Sequence, residues 1–176
     1  DDPPETLARK ALRVNLSDLA AKGATPAGFV LTLALRDVRE AWLEPFVKAL
    51  GEDTAAFSCP LLGGDTVSTP GPLMISVTIF GKLPAGTMVR RDGAKPGDII
   101  AVTGTIGDAA LGLACLKGKK LLDDTSACDG FVARYRTPQP RNALAEAIRT
   151  HAHAAMDISD GLAGDLAKLC AASKVS

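Results

Sequence analysis

The chain has 176 residues, of which 47% are apolar and 23% are charged. This length allows one ordinary domain or two small ones. The apolar content allows a packed core and argues against extended disorder. Its 20 Lys and Arg residues balance 20 Asp and Glu residues, which leaves no basic excess for nucleic acid or an anionic membrane surface. No apolar stretch is long enough to span a bilayer, and the composition indicates a soluble, globular, cytoplasmic protein. No signal peptide is visible, but the N-terminus looks cut, so we give this absence no weight.

The first half of the chain alternates predicted helices and strands. A helix over 5–22 has an apolar stripe at helical spacing, and Gly23 suits the position just past its end. A helix over 40–57 contains Pro45, which we expect a helix to tolerate only in its first turn. The pattern also predicts a strand over 29–35 that is buried on both faces, a short strand over 59–62 and an alternating strand over 73–82.

The second half opens with a connector. Glycine and proline crowd residues 83–97, which is typical of a segment between two domains. Residues 121–135 are ambiguous, with helix favoured in their second half. The remaining pattern predicts a buried strand over 98–103, a tight turn over 104–107, helices over 109–117 and 141–151, a strand over 154–158, a turn over 159–161 and a helix over 162–172.

The four cysteines are widely spaced in the sequence, at Cys59, Cys115, Cys128 and Cys170. They form no C-x-x-C pair and have no histidine at metal-ligand spacing. We therefore expect reduced, buried thiols rather than a disulfide framework or a zinc site.

Three acidic clusters carry the candidate functional residues, and the first lies in the first predicted helix. Asn15 and Asp18 are three residues apart, so both project from one face of that helix. Asp18 borders the apolar stripe, and a carboxylate at the edge of a core must be paired, hydrogen-bonded or metal-bound. The other interpretation, that Asp18 simply edges the solvated face, stays open.

The second cluster is Gly63-Gly64-Asp65-Thr66, predicted as a turn at the end of the 59–62 strand. Its glycines let the main chain approach a ligand and expose N–H groups, and the Asp65 oxygens suit a hard cation. Taken alone, the pattern favours a plain turn.

The third cluster places Asp157, Ser159 and Asp160 around a predicted strand-to-helix turn. Two carboxylates and a hydroxyl at a helix N-terminus suit magnesium and phosphate, and capping of the helix is the alternative use. Phosphoryl transfer would explain why Asp residues recur at three points, because its catalysis is mostly positioning and charge neutralisation by Mg²⁺.

Three further patterns are weaker. Arg90 and Arg91 could clamp a phosphate or form a solvated pair. The loop over 104–107 could touch phosphate, but no Walker A sequence follows it, so a structural turn is favoured. His151 and His153 resemble a metal pair without a third ligand, which favours a charge at a helix C-terminus.

Five segments, in this order, resemble thiamine-monophosphate kinase, a family of the aminoimidazole ribonucleotide synthetase-like superfamily. They are residues 15–26 (NLSDLAAKGATP), 62–66 (LGGDT), 93–98 (GAKPGD), 102–104 (VTG) and 157–162 (DISDGL). The resemblance covers essentially the whole chain. It implies an α/β (α+β) fold in a partial two-domain architecture, with residues 1–86 from the end of an ATP- and Mg-binding N-terminal domain and residues 87–176 from the start of a C-terminal domain.

The resemblance also implies an activity, the ATP- and Mg²⁺-dependent phosphorylation of thiamine monophosphate to thiamine diphosphate by a homodimer. The acceptor is itself a phosphate, so in-line attack needs no strong base, and we expect no catalytic base, nucleophile or covalent intermediate. By matching motif, the implied ATP contacts are Gly64, Asp65, Arg91 and Ser159, and the implied magnesium ligands are Asp18, Asp65, Asp157 and Asp160.

Further parts of the family's metal and substrate sites are expected before Asp1 and after Ser176, so we expect little kinase activity from this chain alone. Two alternatives stay open: another ATP-using enzyme of the superfamily with a different acceptor, and a nucleotide-binding or dimerisation module whose Asp residues serve as caps. Convergence of the four Asp residues on one cleft would favour an enzyme over a module.

Overall fold

The computed structural model describes residues 2–119 and 125–176, and places one three-stranded sheet in the first half of that part of the chain. The predictions for residues 121–124 lie outside it. No helix among the described residues is long and apolar enough to cross a membrane. The elements are α1 (Pro4–Ala21), β1 (Thr25–Leu35), α2 (Glu40–Ala56), β2 (Leu61–Ser68), β3 (Met74–Lys82), α3 (Asp108–Leu116), α4 (Thr125–Arg136), a 3₁₀ turn (Asn142–Leu144), α5 (Ala145–His151) and α6 (Leu162–Ser173).

Helix α1 forms where the sequence predicts it. Pro4 is its first residue, where a missing N–H removes no helical hydrogen bond. Gly23 follows its end with φ +69°, a conformation that glycine adopts without strain. Leu12 and Leu16 are fully buried on the apolar stripe and pack in one core with Phe46 of α2.

The sheet has the order β2-β1-β3, with β1 parallel to β2 and antiparallel to β3. Phe29, Leu33 and Leu35 alternate along β1 and belong to the core formed with the helices. The opposite face is open, since Thr32 in the middle of β1 is exposed and Met74 of β3 is 62% exposed. The prediction of a β1 buried on both faces is therefore wrong: only one face carries helices.

Residues 63–66 belong to an edge strand and do not form the predicted turn. Along β2, Gly64 lies opposite Leu31 and Asp65 lies opposite Thr32. A Cβ atom on Gly64 would come within 1.9 Å of the Leu31 carbonyl oxygen, so glycine is required for the close approach of the two strands. Paired glycines are a local turn signal, whereas strand pairing depends on a neighbour elsewhere in the chain, and this explains the error.

Two predicted strands of the second half do not form in the described residues. Residues 98–103 have no regular structure, and Ile99 is 93% exposed. Residues 154–158 contact the connector instead, where the Ala155 N–H donates to the Arg90 carbonyl at 3.1 Å. An apolar run becomes a strand only beside another strand, and the described second half holds none.

The predicted helices are confirmed, with one difference in α2. Pro45 lies inside this helix, past its first turn. The expectation that the helix would tolerate a proline only in its first turn is therefore wrong. The Pro45 ring leaves the Ala41 carbonyl without its helical donor. Ala41 is exposed, so water can hydrogen-bond that carbonyl.

Cys115 and Cys128 form a disulfide between α3 and α4, which contradicts the expectation of reduced thiols at these two positions. Their Cα atoms are 6.0 Å apart, within the range that a disulfide spans. The helices approach this closely because Gly112 has no side chain; a Cβ there would lie 2.1 Å from the Phe131 carbonyl oxygen. The pairing arises from helix packing, which the cysteine spacing does not reveal. Cys59 is free and buried, and Cys170 is free and half-buried.

Helix α1 also forms hydrogen bonds with the second half of the chain. Arg13 binds the buried Asp53 of α2 through two hydrogen bonds, of 2.6 and 2.8 Å, and donates to the Pro138 carbonyl at 3.3 Å. The Asn142 amide donates to the Leu16 carbonyl at 3.1 Å. The same helix therefore contacts the sheet, α2 and the segment that leads into α5.

Candidate functional site

Two of the predicted site residues, Asp18 and Asp157, meet at the C-terminal end of α1. Their carboxyl groups lie within hydrogen-bonding distance, although one is on α1 and the other on the segment before α6. Asp18 is exposed, as the solvated-face interpretation expected. Partial desolvation nevertheless raises its pKa, and the neighbouring Asp157 charge and its hydrogen bond raise it further. Two carboxylates held together in this way favour a shared proton or a cation.

Two cationic side chains, Lys22 and Arg91, complete this group. Lys22 lies one helical turn after Asp18, and its pKa is lowered by partial burial and by the Arg91 charge. Asp18 and Asp157 oppose that lowering by attracting the ammonium. Charges of both signs therefore lie side by side at the end of α1, an arrangement that suits a metal ion together with a phosphate.

The connector holds these groups in place. The Val89 N–H donates to the Lys22 carbonyl at 3.3 Å, and the Arg90 carbonyl accepts from Ala155 at 3.1 Å. A Cβ on Gly93 would lie 2.2 Å from the His153 carbonyl oxygen, so glycine permits this approach. The connector is thus bonded to α1 on one side and to the segment before Asp157 on the other.

A cavity of about 420 Å³ opens beside Lys22 and Arg91. Arg90 also lines it, but its guanidinium binds Asp92 through two hydrogen bonds of 2.9 and 2.7 Å. Lys22 and Arg91 therefore supply its net positive charge. The sequence left open whether the two arginines clamp a phosphate or form a solvated pair. In the structure Arg90 is paired with Asp92, whereas Arg91 lies beside the Asp18 and Asp157 carboxylates.

The loop that follows Asp157 is organised by Asp165, a residue the sequence analysis missed. The Asp165 carboxylate is 1% exposed and accepts the N–H groups of Ser159 and Asp160, each at 2.9 Å. Lys168 donates to Asp165 at 3.0 Å and to Asp160 at 2.6 Å. The Asp160 N–H and then the Lys168 ammonium lower the pKa of Asp165. An Asp in the first turn of α6, three residues before a Lys, was the available signal.

Asp65 lies apart from this group, on the exposed edge strand β2. Its Oδ1 accepts the N–H of Thr66 at 2.8 Å, and its neighbour across the strand pair is Thr32 on the open face of the sheet. Gly64 is exposed beside it.

The structure therefore joins Asp18 and Asp157 directly, keeps Asp160 on the same loop in contact with Lys168, and leaves Asp65 on β2. Among residues 2–119 and 125–176, no three His, Cys, Asp or Glu side chains group closely enough to hold a metal by themselves. Magnesium takes only one or two carboxylates and fills its other positions with water and phosphate oxygens, so the Asp18–Asp157 pair is a suitable donor set for it. The four-residue magnesium site stays a prediction.

The weaker candidates have structural partners. His153 contacts Asp98 at 2.9 Å, and His151 ends α5. In the 104–107 loop, Gly104 adopts φ +83° close to Arg141, whose Nη2 would lie 2.5 Å from a Cβ at that position. This loop leads into α3, as a structural turn would.

Comparison with known proteins finds two family models that together match most of the chain. The model of the AIR synthase related protein N-terminal domain matches residues 1–83, and that of the C-terminal domain of the same family matches residues 95–176.

Curated relatives and a solved structure extend this similarity. The chain is 47% identical to the thiamine-monophosphate kinase of Escherichia coli (strain K12), over 98% of its own length and 53% of the relative. It is also 47% identical to that of Caulobacter vibrioides, over 96% of its length and 47% of the relative. A structure described as "AaThiL complexed with AMPPCP and TMP" is 31% identical, with a TM-score of 0.90, over 99% of this chain and 55% of that one. The chain spans about half the length of the curated relatives it matches.

Proposed function

Because the chain belongs to the AIR synthase related protein family, with both of its domains represented, we propose that it is part of an ATP- and Mg²⁺-dependent thiamine-monophosphate kinase. The observation that carries this proposal is the meeting of Asp18 and Asp157 beside Arg91 and Lys22. The curated relatives bear that name, and the AaThiL structure holds AMPPCP, an analogue of ATP, together with TMP, which we take as thiamine monophosphate. These likenesses support an ATP site and a thiamine monophosphate acceptor.

The chain's own residues would divide the work of the reaction. Asp18 and Asp157 would hold one magnesium from the two sides of the connector. Asp160 and Asp65 would also be magnesium ligands, Asp65 from its separate position on β2. When bound, magnesium neutralises charge on the transferred phosphoryl group. Ser159, Gly64 and Asp65 would contact ATP, and Arg91 would bind its phosphates at the edge of the cavity.

No residue is assigned a proton-transfer or covalent role. A phosphate acceptor already carries a nucleophilic oxygen at neutral pH, so its attack on the γ-phosphorus requires alignment rather than deprotonation. Because the chain spans about half of its relatives, this activity is proposed for the full-length protein. We expect the chain alone to have little activity.

We also propose a cytoplasmic homodimer. The open face of the sheet supports the dimer, since Met74, Phe80 and Leu62 expose 62%, 47% and 60% of their surface on or beside it. Exposed apolar side chains on an open sheet face are typical of a protein interface. A second copy of the same sheet would cover it symmetrically.

The proposal is tested by incubating the full-length protein with ATP, Mg²⁺ and thiamine monophosphate and measuring thiamine diphosphate by chromatography. We expect thiamine diphosphate to form in the presence of Mg²⁺, and we expect EDTA to abolish its formation. The Asp157→Asn variant should lose at least 100-fold in kcat, because a metal ligand is removed. A folded protein that phosphorylates a different acceptor and leaves thiamine monophosphate unchanged would contradict the substrate assignment.

A further inference from the structure

Asp165 is a buried carboxylate to which the proposed reaction gives no role. It is 1% exposed, yet it lies only five residues after Asp160, on the first turn of α6. Its two oxygens take three donors: the N–H groups of Ser159 and Asp160 at Oδ2, and the Lys168 ammonium at Oδ1.

A carboxylate shielded from water is unfavourable unless each of its oxygens is hydrogen-bonded, and Asp165 meets that condition. Two of its three donors belong to the main chain of the loop and one to a side chain of its own helix. The hydrogen bonds of the carboxylate therefore hold the loop in place and do not join it to the core.

The loop relies on this carboxylate for its shape. Gly161, at φ +113° and ψ 145°, turns the chain into α6, and its carbonyl accepts the Asp165 N–H at 3.0 Å. The two preceding N–H groups point back to the Asp165 side chain. Residues 159–161 are thus tied to the helix through both the backbone and the side chain of one residue.

We propose that Asp165 is a positioning residue, which touches neither nucleotide nor metal and holds Ser159 and Asp160 in the orientation that presents them, with Asp157, to the ligand. Lys168 extends the same network, because its ammonium binds the carboxylates of Asp160 and Asp165 together. This inference rests on the proposed function only in that residues 157–160 are the ligand-binding loop.

The chain offers a matched control in Asp53. This carboxylate is also 1% exposed and also ion-paired, with Arg9 at 2.5 Å and Arg13 at 2.6 Å, but it joins α1 to α2 away from the loop. Asn replaces Asp with nearly the same shape in both variants. Asp53→Asn therefore reports the loss of a buried charge without a change in the loop.

The experiment measures Mn²⁺ affinity by electron paramagnetic resonance and ATP kinetics for the full-length protein and both variants, below their melting temperatures. We expect Asp165→Asn to weaken Mn²⁺ binding at least ten-fold and to raise the KM for ATP, because partners that orient metal ligands typically contribute 10–100-fold to affinity. Asp53→Asn should lower the Tm and leave Mn²⁺ affinity unchanged. Equal Mn²⁺ affinity in Asp165→Asn and the wild type would overturn the proposal.

A second measurement needs no variant. In the wild-type protein, hydrogen exchange should show the Ser159 and Asp160 amides protected at least ten-fold over unstructured peptide, and exchange at the unprotected rate would overturn the positioning role. The two proposals fail separately. A wild type that binds Mn²⁺ but leaves thiamine monophosphate unchanged contradicts the kinase, while the Asp165→Asn comparison still decides the positioning role. A wild type that binds neither Mn²⁺ nor ATP overturns both.

Discussion

Asp18 and Asp157 form a pair of carboxyl groups that the fold holds close together. Their carboxyl groups are within hydrogen-bonding distance, and the Asp18 pKa is raised by burial and by its neighbour. Such a pair costs stability at neutral pH, and a divalent cation would relieve that cost. A magnesium ion bound as proposed would therefore favour the metal-bound protein over the metal-free one.

The first residue-scale prediction is that Asp18→Asn raises the Tm of the metal-free protein by about 1–4 °C at pH 7, because the repulsion is removed. The raised folded-state pKa means that the wild-type carboxyl stabilises the fold below its unfolded pKa, near 4, and that this contribution is lost as the pH rises through the folded pKa. The gain from the substitution should therefore disappear towards pH 4.

Thermal melts between pH 4 and pH 8, in EDTA and then in Mg²⁺, measure both parts of this prediction. Mg²⁺ should raise the Tm of the wild type and leave that of Asp18→Asn unchanged. A variant less stable than the wild type at pH 7 in EDTA would show that the pair is not repulsive.

The sequence could nominate Asp18 and Asp157 because both lie in recognisable local patterns. It could not show that they meet, since that depends on how the connector bonds to α1 and to Ala155. Lys22 and Asp165 were missed for a similar reason. Each has an ordinary local use, as a helix C-terminal cation or a first-turn acid, and only the folded chain gives it another.

Helices and strands differ in how far the sequence predicts them. Helix α1 was predicted to within a residue, because its apolar stripe and Gly23 are both local signals. The alternation of β3 was equally clear, and Ile75, Val77 and Ile79 pack towards the core. Residues 63–66 of β2 were misread as a turn, because edge strands carry exposed residues and Gly64 has its reason in Leu31 of another strand.

The element-scale prediction concerns the disulfide between α3 and α4. Reducing Cys115–Cys128 should lower the stability of this helix pair by roughly 2–4 kcal/mol, because the bond closes a loop of moderate length in the unfolded chain. Melts with and without a phosphine reductant measure the change, and Cys115→Ser should behave like the reduced protein.

Cys170→Ser is the matched control, since Cys170 is a free thiol in α6 and its loss should leave the effect of the reductant intact. If reductant fails to change the melt of the wild type while alkylation shows that both thiols are free, the bond does not stabilise the helix pair.

The open face of the sheet leads to a prediction about the whole molecule. Met74→Glu should shift the proposed homodimer towards monomer, weakening its association at least ten-fold, because a charge would be buried without a partner. Val47→Glu is the control: Val47 is 60% exposed, as Met74 is 62% exposed, but it lies on α2, away from this face. Light scattering of the full-length variants over a range of concentrations measures the effect. A Met74→Glu protein that dimerises like the wild type would place the interface elsewhere.

The two members of the carboxylate pair belong to different halves of the chain, with the connector bonded to both. A metal ion gripped by Asp18 and Asp157 would act as a clasp across the two halves, so its binding free energy and their docking free energy must be coupled reciprocally. Removing the Asn142–Leu16 or the Arg13–Pro138 hydrogen bond should lower the affinity for the metal ion. Bound metal should make the two halves unfold in a single transition. A measured change in metal affinity would therefore also report a change in the free energy with which the two halves dock.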